Sequence, residues 1–183
     1  MEMFLYLELT PAWTKPQAML PGLRYHRSVG AFMAFQLFST AFGDGDWIPS
    51  LHSCQGADLS PALEWSGEPN DTRSFALVVD DPDAPAGNWC HWLLYDIGLQ
   101  LHNLPQGVKA GAVGLDGVND FGRKGYNGPC PPRGKPHRYF FKLFALNVET
   151  LGIPAGAKRA ALLAALEPRV AGKAQYMGRF ERK

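Results

Sequence analysis

Two short, proline-rich segments hold most of the residues in this chain whose types could carry chemistry. The first segment is DPDAP followed by WCHW, from Asp81 to Trp92, and the second is GYNGPCPPRGKPHRY, from Gly125 to Tyr139. Aspartate, histidine and tyrosine side chains supply hydrogen-bond donors and acceptors that can hold a small polar group. Because proline fixes the backbone, we expect these segments to form a preformed pocket for a small anionic or polar ligand.

The first segment follows a continuous apolar run, Phe75 to Val79, which is typical of a central strand buried on both faces. We therefore expect Asp81, at the end of that run, to line a cavity. His91 is flanked by aromatic residues and could be an ordinary core histidine, but a nearby carboxylate would fix its tautomer and make it a ligand-binding group. The Ala84–Pro85 bond is a candidate cis peptide.

The second segment ends in a histidine and a tyrosine two residues apart. In a strand, His137 and Tyr139 lie on the same face at a spacing of about 7 Å and offer two donors, although Tyr139 could equally be a core residue. Gly128, in the loop just before them, permits close approach of the backbone, so that amide groups can help to bind an anion.

An enzyme is the alternative interpretation of the same residues. Asp81 with two histidines could bind a metal, and Cys130 could be a nucleophile. However, the chain has no HExxH or GxSxG motif and no phosphate-binding glycine motif. A hydrolase or metal-dependent enzyme therefore stays second to a binding protein, and we expect no metal or cofactor.

The elements that position these residues are predicted to be mostly strands. The alternation from His137 to Leu146 is the strongest strand pattern. The alanine-rich stretch from Lys158 to Glu167 predicts a helix with an apolar stripe, Pro154 suits its N-terminus and Pro168 stops it. Four further strands are predicted around Phe35–Phe38, Leu63–Trp65, Trp92–Ile97 and Tyr176–Phe180.

Glycine and proline predict the loops of the fold. The chain has 20 glycines and 15 prolines, and eight of the glycines fall between Pro105 and Gly134, where no clear element is predicted. A loop of that length in a compact domain is usually functional. We therefore expect a mostly-β fold, an antiparallel β-sandwich with a long Gly/Pro-rich loop and a C-terminal helix.

Composition limits the class and the location of the protein. The net charge of +1 shows no excess of basic residues for nucleic acid, and no apolar run is long enough to span a membrane. The three cysteines, Cys54, Cys90 and Cys130, are widely spaced, which favours reduced, mostly buried thiols over a disulfide framework. We expect a cytoplasmic protein without an integral membrane segment.

The chain is predicted to divide near residue 33. Residues 1–32 have no sustained helical or strand period, so they are interpreted as an N-terminal extension, disordered or produced by a start codon chosen too far upstream. Residues 33–183 are expected to form one domain.

From Met33 to the C-terminus the chain resembles the phosphatidylethanolamine-binding protein family, whose bacterial members are called Raf-kinase-inhibitor-like proteins. The resemblance rests on DPDAP, WCHW, the GPCPP loop and HRY, which recur in one order. It implies a small pocket that accepts phosphate, acetate or a phosphorylethanolamine head group. It also implies a regulatory contact with a protein partner, such as a kinase or a protease. The residues carried over as ligand-binding are Asp81, Trp89, His91, Gly128, Pro132, His137 and Tyr139. Arg169 is expected to occupy the place of a histidine that the family often has near the pocket mouth.

Overall fold

The computed structural model describes residues 34–183, so the expectation for residues 1–32 lies outside the described part of the chain. Within that part, the chain forms eight strands, one α-helix and two short 3-10 turns. The 3-10 turns are Ser50–His52 and Glu167–Arg169. The strands and the helix are β1 (Gln36–Phe38), β2 (Leu63–Ser66), β3 (Ser74–Asp81), β4 (Trp89–Gly98), β5 (Asn103–Leu104), β6 (Leu115–Asp116), β7 (His137–Leu146), α1 (Arg159–Leu166) and β8 (Val170–Phe180).

The strands form two antiparallel sheets. The larger sheet has the order β6-β4-β3-β7-β8, and the smaller has the order β1-β2-β5. Apolar side chains from both sheets form one core cluster, which includes Leu63 and Trp65 of the smaller sheet and Leu77 and Phe141 of the larger. This packing of two sheets, followed by one C-terminal helix, confirms the predicted mostly-β sandwich. No helix among the described residues has the length and hydropathy needed to cross a bilayer.

Strand β3 is the centre of the larger sheet, and all eight of its residues are buried. Its alternate side chains enter two different cores. Phe75, Leu77 and Val79 face the smaller sheet, whereas Ala76 and Val78 pack in a second cluster with α1. The prediction of a strand buried on both faces is therefore confirmed, and the two aspartates at its end fall on opposite faces.

The C-terminal elements differ in their limits from the predictions. Strand β7 has the predicted bounds, and α1 lies within the predicted range Lys158 to Glu167, but Pro154 does not form its N-terminus. The intervening residues form a turn in which the Ala157 amide donates to the Pro154 carbonyl and Gly156 has a φ of 89°. Strand β8 begins at Val170 rather than at Tyr176, since it pairs with β7 along nearly the whole length of both strands.

Two further predictions are wrong. Cys54 and Cys130 are not reduced thiols but form a disulfide, because their loops are adjacent and the Cys54 amide donates to the Pro129 carbonyl. The Ala84–Pro85 bond is trans, as are all peptide bonds in residues 34–183. The chain reverses there through a turn in which the Gly87 amide donates to the Ala84 carbonyl, and Gly87, the last residue of the turn, has a φ of 94°.

Candidate functional site

The ends of β3, β4 and β7 and two connecting loops surround a small cavity of about 270 Å³. The cavity brings together six of the seven predicted site residues, although they come from two segments about forty residues apart in sequence. Its lining consists of Asp81, Ala84, Pro85, Ala86, Trp89, His91, Phe121, Cys130, Pro131, Pro132, His137 and Tyr139.

Asp81 and His137 form a buried pair on one side of the cavity. Nδ1 of His137 donates to Oδ2 of Asp81 at 2.8 Å, while Oδ1 of Asp81 accepts the amide of Asp83 at 2.8 Å. Both side chains are more than 90% buried. The carboxylate thereby fixes the tautomer of His137, and Nε2 remains for another partner.

His91 reaches the cavity because β4 is irregular at that point. Val79 pairs with Trp92 and Asp80 pairs with Cys90, so His91 is the extra residue of a β-bulge. Such a bulge turns a side chain away from the face that strict alternation would give it. The ring of His91 packs edge-to-face against Tyr139 at a centroid distance of 5.1 Å.

The hydrogen bonding of His91 determines which ring nitrogen can meet a ligand. Nδ1 is 2.7 Å from the carbonyl oxygen of Asn127, which can only accept, so Nδ1 carries a proton. Burial lowers the pKa of His91, although the Asn127 carbonyl and the charge of Asp81 act against this effect. The neutral ring therefore offers Nε2 as a hydrogen-bond acceptor, and this atom has no protein partner within residues 34–183.

Tyr139 contributes an unsatisfied donor. Its hydroxyl is buried and has no hydrogen-bond partner among the described residues. Burial, and next the charge and the acceptor oxygens of the neighbouring Asp81 carboxylate, raise the pKa of Tyr139, so the hydroxyl keeps its proton. The hydroxyl lies near that carboxylate but does not reach hydrogen-bond geometry with it. Because most buried polar groups are hydrogen-bonded, an unpartnered hydroxyl beside a cavity is a feature that a bound ligand would satisfy.

The long loop is ordered around Asn119, which is buried. Its side-chain amide donates to the carbonyls of His91 and Gly125, and its oxygen accepts the amides of Phe121 and Arg123. This side chain therefore connects the loop to the bulge of β4. Sequence reasoning missed Asn119, because nothing in its neighbourhood of the sequence marks it as different from a turn asparagine.

Gly128 is the predicted site residue that does not line the cavity. Its amide donates to Oδ1 of Asp58 at 2.7 Å, and a Cβ at this position would collide with the carbonyl oxygen of His52. The glycine thus allows close packing of two loops behind the site. Arg169 also lies elsewhere: it is exposed in the 3-10 turn after α1 and is not among the cavity residues.

The walls of the cavity are aromatic and proline-rich, and its outer rim is basic. Phe121, which was not predicted, packs edge-to-face on both Trp89 and His91. Two shallow depressions share His137 with the cavity; they also contain Arg133, Lys135, Arg138 and Arg179. Among residues 34–183, the one acidic residue that lines these depressions is Asp83. Its bidentate ion pair with Arg138 lowers the pKa of Asp83 to about 2.

A larger depression of about 620 Å³ lies beside Trp47 and the C-terminus. Its polar lining residues, Ser50, Gln55, Glu181 and Lys183, are all exposed. It therefore lacks the convergent buried polar groups that distinguish the smaller cavity, and we assign the candidate site to the latter.

The fold places the chain among small β-sandwich domains with a cavity at the strand ends, and comparison with known proteins identifies the family. The family model described as phosphatidylethanolamine-binding protein matches residues 38–181. The chain therefore belongs to the phosphatidylethanolamine-binding protein family, which confirms the resemblance seen in the sequence.

Relatives and solved structures agree with this membership. A UPF0098 protein of Aquifex aeolicus is 44% identical over 84% of this chain and 91% of its own length. A crystal structure of the phosphatidylethanolamine-binding protein homologue CT736 from Chlamydia trachomatis superposes with a TM-score of 0.76 at 38% identity, covering 82% of this chain and 99% of that one. YbcL of Escherichia coli superposes with a TM-score of 0.77 at 35% identity, covering 82% of this chain and 100% of that one.

Proposed function

We propose that this protein binds a small ligand with a phosphoryl group, such as phosphate or phosphorylethanolamine, in the cavity around Asp81 and His137. The observation that carries the proposal is that two side chains of this cavity each have a polar atom without a hydrogen-bond partner. The hydroxyl of Tyr139 and Nε2 of His91 both lack partners within residues 34–183. Asp81, Trp89, Pro132 and His137 complete the proposed ligand contacts.

The donors and acceptors suit a phosphoryl group that still carries one proton. Tyr139 donates, the neutral His91 accepts, and the bond between Nδ1 of His137 and Asp81 leaves Nε2 of His137 for the ligand. The monoanion of a phosphate monoester such as phosphorylethanolamine offers P–O acceptors and one P–OH donor. We therefore expect binding to weaken as the pH rises and the ligand loses its last proton.

The size and walls of the cavity favour a head group over a whole lipid. Its volume of about 270 Å³ lies just below the ~300–1,000 Å³ typical of drug-sized ligands. Trp89 and Phe121 present aromatic rings that can pack on a short alkyl chain or attract an ammonium group. This arrangement fits the ethanolamine end of phosphorylethanolamine.

The basic rim supports a second, related function. Arg133, Lys135 and Arg138 surround depressions that share His137 with the cavity. A phosphorylated residue of a protein partner could place its phosphoryl group in the cavity and its backbone along this rim. The protein would then regulate that partner, and capture of the partner would be lost in a His137→Gln variant.

An enzymatic function is not favoured. The nucleophile considered from the sequence, Cys130, is held in a disulfide. The absence of a cofactor and of catalysis remains a prediction, and so does the cytoplasmic location. A disulfide is more typical of an oxidising compartment, so fractionation of cells that express the native gene would test the location directly.

Titration followed by NMR spectroscopy tests the binding proposal. We expect inorganic phosphate and phosphorylethanolamine each to shift the imidazole signals of both His91 and His137. For a given ligand, the two signals should give the same dissociation constant. The signal of His102, which is exposed and paired with Glu68, is the internal control and should not move. Equal shifts at all three histidines, or none, would contradict the assignment of the site.

A further inference from the structure

The Cys54–Cys130 disulfide joins a wall of the cavity to a separate loop. The two cysteines are 76 residues apart in sequence. Cys130 lines the cavity and is half-buried, whereas Cys54 is exposed. A thiol in solution can therefore reach the sulfur of Cys54 more readily than that of Cys130.

The wall next to the disulfide has few other restraints. Residues 131–136 include Pro131 and Pro132, which line the cavity, and make no hydrogen bond to other segments within residues 34–183. Before this stretch, the Pro129 carbonyl accepts the Cys54 amide; after it, His137 is held by Asp81. The disulfide is thus the covalent anchor of this wall.

Arg182 lies against the sulfur of Cys130. Its Nη1 is 3.7 Å from Sγ, and its Nε is buried with no hydrogen-bond partner among the described residues. No carboxylate within residues 34–183 forms an ion pair with it. An uncompensated guanidinium in this position stabilises a thiolate on Cys130.

We propose that the Cys54–Cys130 disulfide is a thiol-exchange site whose opening releases the wall formed by residues 131–136 and weakens ligand binding in the cavity. The disulfide reacts with a low-molecular-weight thiol from solution. The effect on binding rests on the proposed function, whereas the exchange itself does not.

The exchange takes place in two steps. A thiolate attacks Sγ of Cys54, a new S–S bond forms, and the electron pair of the broken bond leaves with Cys130 as a thiolate beside Arg182. A second thiolate then attacks the outer sulfur of the mixed disulfide and releases Cys54. Two small thiols are oxidised to one disulfide, and their two protons pass through solvent to the two cysteines.

The third cysteine takes no part. Cys90 is buried under α1, and burial, followed by the negative charge of Asp80, raises its pKa to about 12. A Cys90→Ala background therefore removes the remaining thiol without touching the cavity, and leaves Cys54 and Cys130 as the reporters.

The first experiment measures the exchange. Oxidised protein in the Cys90→Ala background is incubated with glutathione, quenched with iodoacetamide and analysed by peptide mass spectrometry. We expect glutathione on Cys54 and the alkyl group on Cys130. Glutathione on Cys130, or on both cysteines equally, would overturn the assigned direction of attack.

Variants of Arg182 test its part in the exchange. Arg182→Gln should slow the release of Cys130 by about three- to tenfold, because the leaving thiolate loses its nearby charge. Arg182→Lys should restore most of the rate, and Arg73→Gln, which removes an exposed arginine before β3, should leave it unchanged. Equal rates in Arg182→Gln and Arg73→Gln would contradict the role of Arg182.

The second experiment measures binding. Inorganic phosphate and phosphorylethanolamine are titrated into oxidised protein and into a variant that combines Cys54→Ser with Cys130→Ser. We expect about three- to tenfold weaker binding without the disulfide, because the wall must then be ordered on binding. Equal affinities would overturn the link between the disulfide and the cavity. An absence of binding even to oxidised protein would overturn the proposed function. The first experiment would still show whether glutathione reacts at Cys54.

Discussion

Two neighbouring aspartates at the end of β3 show how one strand serves two regions with different purposes. Asp80 faces α1, where Lys142 and Arg159 donate to its carboxylate at 2.9–3.0 Å. Asp81 faces the cavity, where its carboxylate orients His137. Both side chains are buried. Among the described residues, however, the surroundings of Asp81 also contain a buried polar atom without a partner, the hydroxyl of Tyr139.

The difference separates a structural ion cluster from a candidate binding site. Burial alone would raise the pKa of Asp80, but hydrogen bonds from Arg159 and Lys142 outweigh burial, so its pKa lies below the ordinary value. Around Asp81, in contrast, Tyr139 and His91 have polar atoms without partners in residues 34–183. A site that is incomplete in the free protein is one that a ligand can complete.

The largest effect is expected on stability at the structural cluster. Asp80→Asn would leave Lys142 and Arg159 beside a neutral side chain, and should lower the free energy of unfolding by about 2–3 kcal/mol. The loss is not larger because both cations are partly exposed, so that water compensates part of their charge. Denaturation by urea measures this change. The affinity for phosphorylethanolamine should stay within about twofold of the wild type; a tenfold loss would mean that the two regions are not separate.

Asp81→Asn should show the opposite pattern. An asparagine can still accept the Asp83 amide, so we expect a loss of stability of about 1 kcal/mol or less. It no longer holds His137 through a carboxylate, so affinity for phosphorylethanolamine should fall about tenfold or more, as measured by calorimetry. Unchanged affinity together with a large loss of stability would make Asp81 a second structural aspartate.

A smaller effect is expected from pH. The pKa of His91 is lowered from its ordinary value of 6.5, so below that pH the unfolded chain binds more protons than the folded one. The contribution of His91 to stability is therefore complete above about pH 6.5, and is lost as the pH falls through the lower folded pKa. Urea denaturation at about pH 7.5 and about pH 5.5 should show a smaller difference in His91→Gln than in the wild type. The same difference in both proteins would show that His91 is not the group responsible.

Much of the fold followed from local patterns. The alternation of β7 and the apolar run of β3 predicted two strands correctly, because burial on one or both faces directly controls which residues occur there. The separate segments around Asp81 and His137 were correctly expected to meet, because the ends of β3 and β7 lie side by side in the sheet.

Features that depend on contacts distant in sequence could not be predicted. The bulge that presents His91 is a change of register between β3 and β4, and a period of two along β4 contains no sign of it. The pairing of Cys54 with Cys130 depends on two loops meeting across 76 residues. The role of Gly128 depends on the carbonyl of His52 behind it.

The most direct test of the central claim, that the cavity is a ligand site, is a calorimetric titration of Tyr139→Phe with phosphorylethanolamine, beside the wild type and Tyr95→Phe. The Tyr95 hydroxyl donates to the Pro154 carbonyl at 2.6 Å, so its removal should cost about 1 kcal/mol of stability and no affinity. Removal of the unpartnered Tyr139 hydroxyl should leave stability unchanged or higher and weaken binding about tenfold. Wild-type affinity in Tyr139→Phe would contradict the account.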